Sequence, residues 1–109
     1  MPELADLEIA IDPQGEVHAR LRGELDMETV DAIRARLGAA ITSSTTALVI
    51  DLSRVSFMDS SGVELLFRLR AQVDAQQMVL RIVLPRDSPI RRTLEVSDGG
   101  AELLTLGDG

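Results

Sequence analysis

Leu7, Ile9 and Ile11 alternate with Glu8, Ala10 and Asp12, the two-residue period of a strand with one buried face, and Pro13-Gln14-Gly15 then reads as a turn. Val17, Ala19 and Leu21 alternate in the same way with His18, Arg20 and Arg22, so the first two strands are predicted to form a hairpin that Gly23 ends. From Asp26 the period lengthens. Val30, Ile33, Leu37, Ala40 and Ile41 recur at helical spacing, and Asp26, Glu28 and Asp31 crowd the beginning, where the helix dipole favours anions. Ala47 to Ile50 with Leu52 has no polar alternation, as expected of a strand buried on both faces.

A second helix is expected from Gly62 to about Gln76, with Val63, Leu66, Leu69 and Val73 on one stripe. Met78 to Leu84 reads as another buried strand, closed by Pro85. Ser88-Pro89 supplies an N-cap and a first-turn proline for a short third helix through Ile90 and Leu94, stopped by Ser97-Asp98-Gly99-Gly100. Leu103 to Leu106 forms a last strand or a helical remnant. Two strands followed by alternating helices and strands predict an α/β fold: a mixed central sheet with an N-terminal hairpin and helices packed on it.

Composition narrows the function classes. The 109 residues suit one core, so residues 1–109 are expected to form a single domain. No cysteine is present, which excludes disulfide frameworks, thiolate metal sites and cysteine nucleophiles. The longest apolar runs fall far short of the roughly 20 residues of a membrane span, and no leader pattern precedes them, so a cytoplasmic protein without membrane insertion is expected. A net charge of −7 repels phosphate backbones, so nucleic acid is not an expected partner. The carboxylates lack the spacing of metal ligands and there is no glycine-rich phosphate loop, so neither a metal nor a cofactor is expected. Arg86, Arg91 and Arg92 read as a solvated helix face.

The segment Asp51 to Gly62 joins the central strand to the second helix, the place where open α/β sheets usually carry function. Ser61-Gly62-Val63-Glu64 matches a capping box, with the Ser61 hydroxyl on the Glu64 amide and the Glu64 carboxylate reaching back. That assignment leaves Ser60, beside Asp59, projecting from the surface. The pattern by itself also allows both serines merely to start the helix. A nucleophilic role for Ser60 lacks support, because the only histidine, His18, lies on the predicted hairpin and no Gly-x-Ser-x-Gly elbow occurs. No catalytic residue, and no enzyme, is expected.

Gly23-Glu24-Leu25-Asp26 and the stretch Val49 to Val63, with Asp59-Ser60-Ser61-Gly62 at its centre, resemble the two signature stretches of STAS-domain anti-sigma factor antagonists. The element order agrees over nearly the whole chain. The resemblance implies a STAS fold and a partner-switching role. In that family the unphosphorylated antagonist captures an anti-sigma factor that is also a serine kinase, freeing a sigma factor. Phosphorylation at the position of Ser60 ends the capture, and a metal-dependent serine phosphatase restores it. Partner contact is implied for Asp26, Asp59, Ser60, Ser61, Gly62 and Glu64, with capping of the first helix as the alternative role of Asp26. The chain departs from the family at Glu64, where many relatives carry glycine, and at the short tail Leu106 to Gly109. A STAS subunit of a stress-signalling scaffold or of a lipid transporter is the alternative implied role.

Overall fold

The computed structural model describes residues 5–97 of the chain. Strand β1 (Ala5–Ile11) pairs antiparallel with β2 (Glu16–Leu25), with Leu7 opposite Leu21 and Ile11 opposite Val17. Asp12 makes the connection: its Oδ1 accepts from the amides of Gln14 (3.0 Å) and Glu16 (2.9 Å), and Gly15 turns the chain at φ +88°. Helix α1 (Val30–Ala40) crosses over to β3 (Ala47–Met58), which lies parallel to β2. Helix α2 (Ser60–Ala75) then leads to β4 (Val79–Val83), parallel to β3, and α3 (Arg91–Val96) follows. The sheet order is β1-β2-β3-β4, a mixed sheet as the alternation pattern predicts.

One face of this sheet carries the helices. Val17, Ala19 and Leu21 of β2, Leu48, Ile50 and Leu52 of β3 and Ile82 of β4 join Ile33 and Leu37 of α1, Leu66, Leu69 and Val73 of α2 and Leu94 of α3 in one aliphatic core. Each of these side chains removes apolar surface from water, the main favourable term in folding. Across the opposite face, Glu8, Arg20 and Asp51 form a cross-strand row of opposite charges, at 3.8 Å and 3.9 Å. Exposed pairs of that kind stabilise little and keep the face wet. None of the described helices is long and apolar enough to cross a membrane.

Several boundaries differ from the sequence expectation, for one physical reason. Gly23 does not end β2; it adopts φ +99° inside the strand, where β3 gains on its neighbour. The register passes from Arg20–Asp51 to Arg22–Arg54 and from Gly23–Val55 to Glu24–Phe57, so β3 carries two bulged residues. Strand β3 therefore runs to Met58 and not to Leu52, and the expected connection from Ser53 to Met58 is itself strand. Its polar residues hide the strand from periodicity, because ladder hydrogen bonds to β2 are long-range. Among the described residues β4 is an edge strand with one wet face and not a buried strand, since Val79 and Val83 are exposed while Ile82 is buried.

The helix starts shift as well. Helix α1 begins at Val30, after a turn that opens at Asp26, and Ile41 is buried just beyond its end. Helix α2 begins at Ser60, two residues ahead of Gly62. Helix α3 begins at Arg91 with Ile90 as its cap residue, and Ser88 Oγ instead accepts from the Ile90 amide at 3.2 Å in the preceding turn. The Arg91 guanidinium folds back onto the Leu84 carbonyl at 3.0 Å, so it is not simply a solvated charge. The expected last element, Leu103 to Leu106, and the tail lie outside the described residues.

Candidate functional site

The ends of β2 and β3 point to the same edge of the molecule, and a single residue, Asp59, links β3 to α2. Its amide donates to the Leu25 carbonyl at 3.1 Å, which ties the helix start to the end of β2. Asp59 is extended (φ −99°, ψ −170°), and its Oδ1 accepts from the amides of Ser61 (2.8 Å) and Gly62 (3.2 Å). Those are two of the otherwise orphaned donors of the first turn, so Asp59 is the N-cap. The expected capping box is thus corrected. Ser61 lies inside the helix and is not its cap, and Glu64 turns outward to Arg68 at 3.7 Å instead of reaching back. The local pattern was ambiguous because Asp59 and Ser61 are both good caps, and the pairing of Met58 with Leu25 decides between them.

Ser60 consequently occupies the first helical position and is exposed, whereas Ser61 is half-buried. Gly62 is buried. A Cβ there would lie 2.6 Å from Met58 Cγ and 2.9 Å from the Leu25 carbonyl, so this glycine permits the helix to close on the strand ends. Its side is turned to the core. Asp26 begins the turn on the neighbouring strand end: its Oδ1 accepts from the Glu28 amide at 3.0 Å, and its own amide donates to Thr29 Oγ1 at 3.1 Å. The buried Thr29 hydroxyl donates in turn to the Glu24 carbonyl at 3.0 Å. Asp26 therefore caps the turn that precedes α1, and Thr29 occupies the cap position of the helix itself.

The site gathers Asp26, Asp59 and Ser60 at one end of the sheet, with Glu24, Glu28 and Glu64 exposed around them. It can present a hydroxyl. His18, the chain's one histidine, is not part of it, because it pairs with Ala10 and Val49 toward the other end of the strands. At that end the hairpin collects a cluster that linear spacing did not reveal. His18 Nε2 lies 3.3 Å from Asp12 Oδ2 and 3.4 Å from Glu16 Oε1, and the three groups could meet at a metal ion. The Asp12 carboxyl is held below its ordinary range, first by the Glu16 amide and then by His18 and the Gln14 amide. The hairpin register, which sets Ala10 opposite His18 and Ile11 opposite Val17 and so folds Asp12, Glu16 and His18 around one turn, is the signal that would have found it.

Known proteins carry the same architecture. The family model of the STAS domain matches residues 9–102. The chain is 42% identical over 74 residues to the anti-sigma F factor antagonist of Lysinibacillus sphaericus, covering 67% of this chain and 62% of that protein. It is 33% identical over 85 residues to the anti-sigma-F factor antagonist RsfB of Mycobacterium tuberculosis, covering 78% of this chain and 68% of that one. The Bacillus cell fate determinant SpoIIAA, solved in its phosphorylated form, superposes with a TM-score of 0.69 at 30% identity over 93% of this chain and 87% of that one. The chain spans about 62% of the length of the Lysinibacillus relative. The fold and the serine-bearing helix start define a STAS domain, and the chain belongs to the STAS-domain anti-sigma factor antagonist family.

Proposed function

We propose that this protein is a partner-switching anti-sigma factor antagonist and not an enzyme: unphosphorylated, it binds a serine-kinase anti-sigma factor and frees a sigma factor, and phosphorylation of Ser60 ends that binding. A serine phosphatase resets the cycle. The observation that carries the reading is the exposed Ser60 at the first position of α2, one residue from an N-cap that holds the helix start without it. The relatives named as antagonists, and one solved in a phosphorylated form, agree with it.

The physical logic runs through charge. A phosphate adds about −1.5 to −2 charges at pH 7. At a helix N-terminus the dipole favours such a group, so the fold tolerates it. An interface that must desolvate the same spot does not, because Asp59 and Asp26 already supply negative charge there. Incubation with ATP and each candidate kinase, followed by fragment mass spectra, tests the assignment. Phosphate is expected on Ser60, whereas phosphate on Ser61 alone overturns the reading.

A further inference from the structure

We propose that Met27 and Phe57 are the apolar anchors of the interface around Ser60, and that they seat in an apolar pocket with a basic rim on the anti-sigma factor. The proposal rests on the partner-switching reading and adds to it the residues that supply affinity. Among the described residues six large hydrophobic side chains are exposed: Ile11, Met27, Phe57, Val79, Val83 and Val96. Isolated cases are ordinary on protein surfaces. Their placement along the sheet is what separates them.

Ile11 and Val79 stand at the hairpin end, opposite Val17 and Ala47, Val83 stands midway, opposite Asp51, and Val96 is at the end of α3, outside the sheet. Met27 and Phe57 stand at the other end, one on each side of the bond from the Asp59 amide to the Leu25 carbonyl. Met27 lies two residues past Leu25 and Phe57 two residues before Asp59, so each Cα is within roughly 8 Å of a residue joined by that bond. Ser60 is the next residue after Asp59. Met27 is 73% exposed and Phe57 48%, so both offer apolar surface to a partner. Phe57 is one of two aromatic residues in the chain, and the other, Phe67, packs against the core. Phe and Met are also among the residue types enriched at interfaces.

The surroundings define the occupant. Glu24, Glu28 and Glu64 are exposed and Asp26 and Asp59 half-buried, so carboxylates outnumber the exposed Arg54 and the Glu64-paired Arg68 around this patch and its rim is acidic on balance. Its complement is a protein surface with basic residues around an apolar pocket, and an anionic membrane is disfavoured by the same charge. Division of labour follows: the two apolar side chains hold the partner, and the charge state of Ser60 decides whether they can.

Calorimetric titration of the wild type and of Met27→Ala, Phe57→Ala, Val79→Ala and Ser60→Asp against the purified ATP-binding anti-sigma factor of the source organism tests the proposal. Circular dichroism melts accompany each variant. Phe57→Ala and Met27→Ala are expected to weaken binding roughly tenfold or more, the usual cost of an interface anchor. Val79→Ala, equally apolar and exposed but at the far end of the sheet, is expected to bind as wild type. Rising salt is expected to weaken binding through the charged rim. If both anchor variants bind as wild type while Ser60→Asp does not, the anchors are overturned and the serine switch stands. A wild type that binds no anti-sigma factor overturns both, and a loss in Val79→Ala equal to those of the anchor variants overturns the placement of the anchors alone.

Discussion

The Asp59 side chain does two jobs that a serine hydroxyl at position 61 could not do from inside the helix. It satisfies the Ser61 and Gly62 amides, and it sets a negative charge at the positive end of the α2 dipole. Asp59→Ala is therefore expected to cost about 0.5–2 kcal/mol, the usual range for a lost N-cap. Ser61→Ala is expected to stay within about 0.5 kcal/mol of wild type, since that side chain caps nothing. Urea titrations of the two variants check the difference, and equal losses would return the cap to Ser61. The sequence carried both candidates within three residues, and either satisfied the local rule. What local pattern cannot contain is the strand pairing that fixes where β3 stops.

That pairing is the business of the elements. Strand β3 is long because it continues alongside β2 through two bulges of its own, and Gly23 supplies the positive-φ backbone that β2 adopts there. Helix α2 follows after one residue, so its first turn presses on the ends of both strands. Gly62 marks the closest approach, with the Leu25 carbonyl and Met58 side chain already within 3 Å of any added Cβ. Gly62→Ala must shift the helix start, at a cost of about 1–3 kcal/mol for overpacking. A melt unchanged from wild type would show that the helix start has more room than its neighbours leave it. The element types, in contrast, were largely legible: each helix and strand among the described residues has its counterpart in the periodicity, because a buried face imposes its period on the sequence. The edge position of β4 was not, since a short apolar run reads the same at the centre of a sheet and at its rim.

At the scale of the molecule, the sheet puts the hairpin cluster of Asp12, Glu16 and His18 at one end and the Ser60 site, where the switch is proposed, at the other. Ser60→Asp is expected to weaken anti-sigma factor binding at least tenfold, because like charges desolvated together cost several kcal/mol without a cation opposite them. Its melt is expected to match or slightly exceed wild type, since an acidic residue in the first helical turn complements the dipole. Ser60→Ala is expected to bind and to escape control. Titration calorimetry alongside thermal melts separates the two effects, and a tight Ser60→Asp complex would favour the scaffold or transporter-subunit role. By itself the sequence determined the class of fold, the aliphatic core, the run of helices and strands and the segment where a serine meets a helix start, because burial period and signature residues are written locally. Only the tertiary structure decided which residue caps that helix, that Gly62 faces inward, that β3 reaches Met58 and that Met27 and Phe57 stand exposed at the Ser60 end of the sheet. Those depend on pairings between residues some thirty positions apart, which no local period records.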